Sequence, residues 1–224
     1  MSRSFEGETF GATNKPEISE EHLEDVHASC RLQPEFVHED AKVEGGSLAG
    51  AEAGSGRLTH AVLNNVNLAE TRLSGVRLVD VSGSSLEGSN ADWRGAHMRR
   101  VLFSGCRFTG LILSEAKFEE VTFRDCKLDY VNFRFAELNR VSFEDCVLTE
   151  ADFQGARCEF SSFYSCRMEA TDFSKAELEG VDLRGSELRL AGGVEALKGT
   201  VVSTSQVIDL AIPLAQAAGI SVLD

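Results

Sequence analysis

Four cysteines, Cys106, Cys126, Cys146 and Cys166, recur at intervals of 20 residues. Thiols can hold zinc, pair as disulfides or act as nucleophiles, and each role makes a geometric demand. Tetrahedral zinc needs four ligands around one centre. A disulfide needs two Cβ vectors turned toward each other. A fixed interval of 20 instead lays side chains in a row. A second set, His22, His27 and His38 with Cys30, sits in an acidic stretch, and its spacing matches no zinc module. The other histidines are His60 and His97. The glycines form no phosphate loop, no nucleophile elbow is present, and no histidine stands beside a serine or cysteine.

What places the cysteines is a period of five. From Ala41 to Leu190 the chain divides into 30 consecutive pentads without an insertion, and 22 of the 30 centres are Leu or Phe. Two residues before the centre stands a small side chain (Ala, Val, Cys, Gly, Ser or Thr) in 28 of the 30. Neither helical nor strand periodicity produces this pattern. Each pentad must form one side of a polygon, with the centre and the small residue pointing in and the other three pointing out. Successive turns must stack to pair their backbones and bury the centres. The recurrence of Phe103, Phe123, Phe143 and Phe163, like that of the cysteines, sets four pentads per coil. The expected fold is therefore an all-β solenoid, a quadrilateral β-helix of about seven coils, with a rise of about 4.8 Å per coil and a length of about 36 Å.

In that frame the four thiols occupy the small inward position and pack as small hydrophobes. The carboxylates all fall at outward positions, where solvated charge needs no chemistry to explain it. The chain is expected to be a non-enzyme, with no catalytic residue, no cofactor and no metal.

One stretch departs from the pattern. Residues 81–90 put Gly83 and Gly88 at two centres, so either a loop is extruded or the coil closes with altered filling. Closure is favoured, because Trp93 and Met98 at the other two centres of that coil restore volume.

The 224 residues carry a formal charge of −14, half of it in residues 1–40, which hold 10 acidic and 3 basic side chains. That segment reads as acidic and flexible, with a short helix around Glu20–Ala28. The acidity argues against unaided nucleic-acid binding. The chain has no segment apolar enough to span a membrane and no secretion signal at its start, so a cytoplasmic protein is expected. Residues 191–224 form a C-terminal cap. Ser203 and Gln206 make a capping-box pattern, and Val207, Leu210, Ala211, Leu214 and Ala218 follow at helical spacing over about 204–218, with Pro213 kinking or dividing the helix. This face is expected to cover the last coil and to join two chains as a homodimer.

The segments Ala151-Asp-Phe-Gln-Gly, Thr171-Asp-Phe-Ser-Lys and Val181-Asp-Leu-Arg-Gly resemble the A(D/N)LXX unit of the pentapeptide repeat family. The resemblance covers about two thirds of the chain. It implies a right-handed coil, C-terminal helices that pair two chains, and a specific activity. The best-known members protect DNA gyrase and related type II topoisomerases from quinolones and other poisons by imitating duplex DNA. The matching surface here is an outward acidic stripe made of Asp92, Asp152 and Asp172 on one side and Glu119, Glu159 and Glu179 on the next. Asp and Asn before the centre are also repeat residues that hold turns. Duplex DNA of about 36 Å would carry about 21 charges, whereas residues 41–190 have a net charge of −5, so mimicry must be local. The alternative is an interaction scaffold or adaptor unrelated to topoisomerases, with residues 1–40 as its recognition segment.

Overall fold

The structure, a computed structural model, describes residues 13–26 and 36–223. Its strands are β1 (Glu24–Asp25), β2 (Val37–Glu39), β3 (Ala41–Glu44), β4 (Arg57–Asn64), β5 (Arg77–Ser84), β6 (His97–Ser104), β7 (Lys117–Arg124) and β8 (Glu137–Glu144), with shorter strands continuing the stack to Val201. All pair in parallel, and β2 to β8 do so with a shift of 20: Leu58 opposite Leu78, Met98 opposite Phe118, Phe123 opposite Phe143. This is a parallel quadrilateral β-solenoid of about eight turns.

We number the sides I to IV in chain order, with centres such as Phe123 (I), Leu128 (II), Phe133 (III) and Leu138 (IV). The strands β4 to β8 run along side IV, bend, and continue along side I. Sides II and III are joined coil to coil by single bridges, such as Arg107 to Lys127 and Asn132 to Asp152. The core is a column of centres and small residues, almost all of them buried.

The corners explain why a period of five closes. The residue two after each centre has positive φ at every corner from Asp40 to Gly185 except Ser55. Most are not glycine, so each pays about 1 kcal/mol for left-handed backbone. The ladder offsets this cost, because corner amides still bond the next coil, as Glu115 N–H does to Arg134 O at 2.9 Å.

Phenylalanines fill the middle of the rod. On side I the rings of Phe103, Phe123, Phe143 and Phe163 stack at 5.4, 5.2 and 4.6 Å, and on side III those of Phe133, Phe153 and Phe173 stack at 4.8 and 5.0 Å. The two columns meet edge to face, with Phe143 and Phe153 crossing at 86°, a geometry that aromatic quadrupoles favour.

Residues 81–90 form a closed coil. Gly83 pairs with Phe103 in register, and Ser85 N–H bonds Ser104 O at 2.9 Å. Trp93 and Met98 are buried as expected, and the neighbouring coil also contributes. A Cβ on Gly83 would lie 3.0 Å from a Phe103 ring carbon, and one on Gly88 2.7 Å from a Phe108 ring carbon. Phe103 and Phe108 lean into the glycine positions.

Both ends are covered. At the N-terminal end the expected helix is replaced by a 3-10 turn at Glu20–His22, followed by β1, while 27–28 lie outside the described residues. Glu24 N–H and Val26 N–H donate to Asp40 O and Lys42 O, both at 2.7 Å. Edge pairing wins over helix here because the first coil leaves its backbone groups open. At the C-terminal end two helices, α1 (Thr204–Asp209) and α2 (Ala211–Ala217), follow a short strand at Thr200–Val201. The capping box of Ser203 and Gln206 is present. The Gln206 amide also donates to Leu183 O at 2.6 Å and Ser186 O at 2.8 Å, satisfying carbonyls of the final coil. Pro213, in the first turn of α2, accompanies the division of the helix at Leu210.

Candidate functional site

The cysteine ladder is core. Cys106, Cys126, Cys146 and Cys166 are buried free thiols, each within sulfur hydrogen-bond reach of a carbonyl one coil back, such as Phe123 O at 3.3 Å from Cys146 Sγ. Hydrogen bonding to Cys126, with burial, pushes the Cys106 thiol up. Burial pushes Cys158, the centre of side IV in the next coil, up to about 12. Hydrogen bonds to Cys106 and Cys146 pull the Cys126 thiol down, and one to Cys146 does the same for Cys166, but all four sulfurs are buried in a row in the core, whereas a reactive thiol needs partial exposure. Among the described residues no three His, Cys, Asp or Glu side chains converge as a metal site. His27 and Cys30 lie outside the described residues.

The outward columns stack as their spacing implies. Lys117, Glu137, Arg157 and Glu177 are successive neighbours on side IV, with Lys117 Nζ 3.0 Å from Glu137 and Arg157 Nε 3.9 Å from Glu177. The column of Glu119, Asn139, Glu159 and Glu179 lies on the same side. The aspartate column on side III runs Asp92, Ile112, Asn132, Asp152, Asp172, so an apolar residue as well as Asn132 separates Asp92 from the others.

These acidic residues are not equivalent. Asp92, Asp152 and Asp172 each accept the amide of the residue two ahead, at 3.2, 2.9 and 2.7 Å. They close the turn, as Asn132 does at 2.9 Å. Asp92 is also forked by Arg94 at 2.7 to 3.1 Å. That guanidinium holds the Asp92 carboxyl below the usual range against the opposing push of burial. Glu119 lies 3.7 Å from Arg99, Asp152 3.5 Å from Arg134, and Glu159 2.8 Å from Arg157. In the last coils each column places like charges side by side, Asp152 beside Asp172 and Glu159 beside Glu179.

Sequence reasoning missed the corner between sides IV and I. Asp40, His60, Asp80, Arg100 and Glu120 stack there, the three acids interleaved with His60 and Arg100. Asp80 faces outward, yet its side chain is only 2% exposed. Arg100 grips it through two nitrogens at 2.6 and 2.5 Å, and His60 stands 3.8 Å from it and 3.5 Å from Asp40. Residues 13–26 run along this corner as a strap. Thr13 Oγ1 meets Thr122 Oγ1 at 2.7 Å, Asn14 donates to Glu120 at 2.6 Å, and Glu17 N–H donates to Asp80 at 3.0 Å. Burial pushes the Asp80 carboxyl up, but Arg100, the Glu17 amide and His60 outweigh it, and the net direction is down. The 20-residue interval between these groups was readable; the strap was not. Sequence reasoning also missed outward aromatics in neighbouring coils. The Phe135 ring lies over Gly155, where an added Cβ would come within 2.7 Å of it, and Tyr164 is 62% exposed.

The C-terminal face divides. Leu210 is buried under the last coil, while Val207, Ala211, Leu214 and Ala218 face outward with Ile208 and Ile212. Among the described residues no helix is long and apolar enough to cross a membrane.

Comparison with known proteins agrees with this geometry. A model described as a pentapeptide repeat region matches residues 96–161, and one described as pentapeptide repeats (8 copies) matches residues 47–90 and 151–189. No curated protein matches the sequence. Among solved structures, HetL, a pentapeptide repeat protein involved in heterocyst differentiation regulation from the cyanobacterium Nostoc sp. strain PCC 7120, is 19% identical. The match covers 78% of this chain and 92% of that one, with a TM-score of 0.50. Full-length QnrB1, a plasmid-mediated fluoroquinolone resistance protein, is also 19% identical, with 85% and 94% covered and a TM-score of 0.47. With its five-residue sides, four-sided coils and two matching repeat models, this chain belongs to the pentapeptide repeat family.

Proposed function

We propose that the chain is a non-enzymatic binding protein that imitates duplex DNA toward DNA gyrase or a related type II topoisomerase and protects it from quinolones or other poisons. Family membership sets the class of the reading. The observation that carries it is the stacking of like charges, Asp152 beside Asp172 and Glu159 beside Glu179, on two adjoining sides. Like charges directly opposite one another are destabilising. The neighbouring column of Lys117, Glu137, Arg157 and Glu177 alternates instead. A cationic DNA-binding groove on a partner would relieve the repulsion that the rod alone carries. Arg99, Arg134 and Arg157 stand 3.7, 3.5 and 2.8 Å from Glu119, Asp152 and Glu159 and temper that repulsion; Asp92, forked by Arg94 and separated by Ile112, contributes least. The outward apolar residues of α1 and α2, Val207, Ile208, Ile212 and Leu214, join two rods end to end in this reading and lengthen the surface offered.

The test is supercoiling by cognate gyrase, with and without a fluoroquinolone, titrated with this protein at low salt. Inhibition or drug protection is expected at micromolar protein. Asp152→Asn with Asp172→Asn, Glu159→Gln and Glu179→Gln should weaken it at least tenfold without unfolding the rod, since Asn132 already holds the same turn. Undiminished activity of that variant removes the stripe assignment. No effect of the unaltered protein on supercoiling or cleavage removes the topoisomerase reading and leaves the scaffold.

A further inference from the structure

A partly open apolar cavity of about 80 Å³ lies among the N-terminal coils. Its origin lies in the centres. The coil at 37–56 has His38, Val43, Leu48 and Ala53 at its centres, and the next has four leucines. The third has Leu78, Gly83, Gly88 and Trp93. Phe103 and Phe108 reach into the glycine positions from one side. From the other side nothing of their size descends. The space left is bounded by Leu58, Leu68, Leu73, Leu78, Leu86 and Trp93, with Val26, Phe36 and His38 at its N-terminal wall. The leucines show it: Leu58, Leu68, Leu73 and Leu78 keep 5 to 8% exposure, while Phe133, Phe143 and Phe153 keep none.

The lining is chemically plain. Trp93 N–H already donates to Thr71 Oγ1 at 3.0 Å, and among the described residues His38 is the one titratable side chain on the wall. A buried water needs two to four polar partners, and these walls do not supply them. A dry apolar void lacks partner atoms on one side of every lining group, so an apolar guest gains dispersion without displacing ordered water. An apolar cavity of about 150 Å³ accepts benzene or xenon.

We propose that this cavity is a binding site for a small, uncharged, apolar molecule, a hydrocarbon of about three or four carbons. The all-leucine coil, facing Trp93 across the axis, leaves it, because the two glycine positions of the third coil are filled by Phe103 and Phe108. A guest bridges the leucines of the second coil to Trp93 of the third, so occupancy holds the N-terminal coils together.

The experiment is methyl NMR of the full chain with xenon and, separately, cyclopropane. Saturable shifts are expected at the methyls of Leu58, Leu68, Leu73 and Leu78 and not at Leu138 or Leu148 among the phenylalanines. Leu73→Phe, which fills the space, should lower apparent affinity at least tenfold with the Leu138 and Leu148 signals unchanged. Leu68→Ala, which enlarges it, should admit benzene that the unaltered chain excludes. If Leu73→Phe does not fold, the unaltered chain and Leu68→Ala still decide. Three results overturn the proposal: no saturable shift in the unaltered chain, equal shifts throughout the rod, or unchanged binding in Leu73→Phe.

Discussion

The two halves of the solenoid share a backbone and differ in what fills it. From Met98 to Phe173 the centres are mostly aromatic, and the rings form two columns that interlock edge to face. From Val43 to Leu78 they are aliphatic or smaller, and a cavity remains. Outside, the halves differ as well. The strap spans the junction, from the covered Asp80–Arg100 pair to Glu120 and Thr122 at the start of the aromatic half, whereas the rest of the aromatic half carries open surface pairs such as Lys117–Glu137. The contrast teaches that a pentapeptide coil can be secured from within by ring stacking or from without by a latch, and that regular register does not require uniform packing.

The largest expected effect breaks the aromatic half. Phe143→Ala removes a ring from the stack at 5.2 and 4.6 Å and should cost about 3–5 kcal/mol. Leu68→Ala, beside an existing void, should cost about 2–3 kcal/mol. Chemical denaturation of both variants measures the gap; equal losses would erase the distinction between the halves.

Next comes the latch. Asp80→Asn keeps the shape and removes the charge that Arg100 and the Glu17 amide share. We expect a loss of about 2 kcal/mol, below the 3–5 of fully buried pairs because Arg100 keeps some solvent. Amide exchange should rise at residues 13–26 and leave β7 and β8 protected. The pH sense follows from the lowered Asp80 carboxyl. A carboxyl depressed on folding contributes fully above its unfolded value, about 3.9, and its contribution is lost as pH falls through the lower folded value. The strap should therefore hold at pH 5 and loosen only in stronger acid, and release already at pH 5 would refute the Asp80 latch.

The smallest effect sharpens the outside of the aromatic half. Lys117→Gln breaks an exposed pair and should cost under about 1 kcal/mol, vanishing at high salt. A larger, salt-insensitive loss would mean that this half too depends on its surface.

Much of the site and fold was legible residue by residue. The interval between Cys106 and Cys126 placed both thiols on one inner wall, and Ser203 with Gln206 announced the start of α1. The closure of 81–90 was readable from Trp93 and Met98, but the part played by Phe103 and Phe108 was not, because a ring's lean across coils depends on which neighbour leaves room. Asp92 looked like part of a continuous acidic column, and Ile112 and the Arg94 fork interrupt it. Side-chain partners two residues away along the chain compete with those one coil away, and spacing alone does not rank them.

By itself the sequence determined the period, the four sides and the inward set, since a five-residue pattern of apolar and small residues buries both sets only when each pentad forms one side of a coil. Tertiary structure alone decided where residues 13–26 lie, that Asp80 is covered while Asp40 is not, and that the leucine coils keep a void. These depend on contacts between residues far apart in the chain, such as Glu17 with Asp80 and Gly83 with Phe103, whose strength is set by distance and burial, and local pattern carries neither.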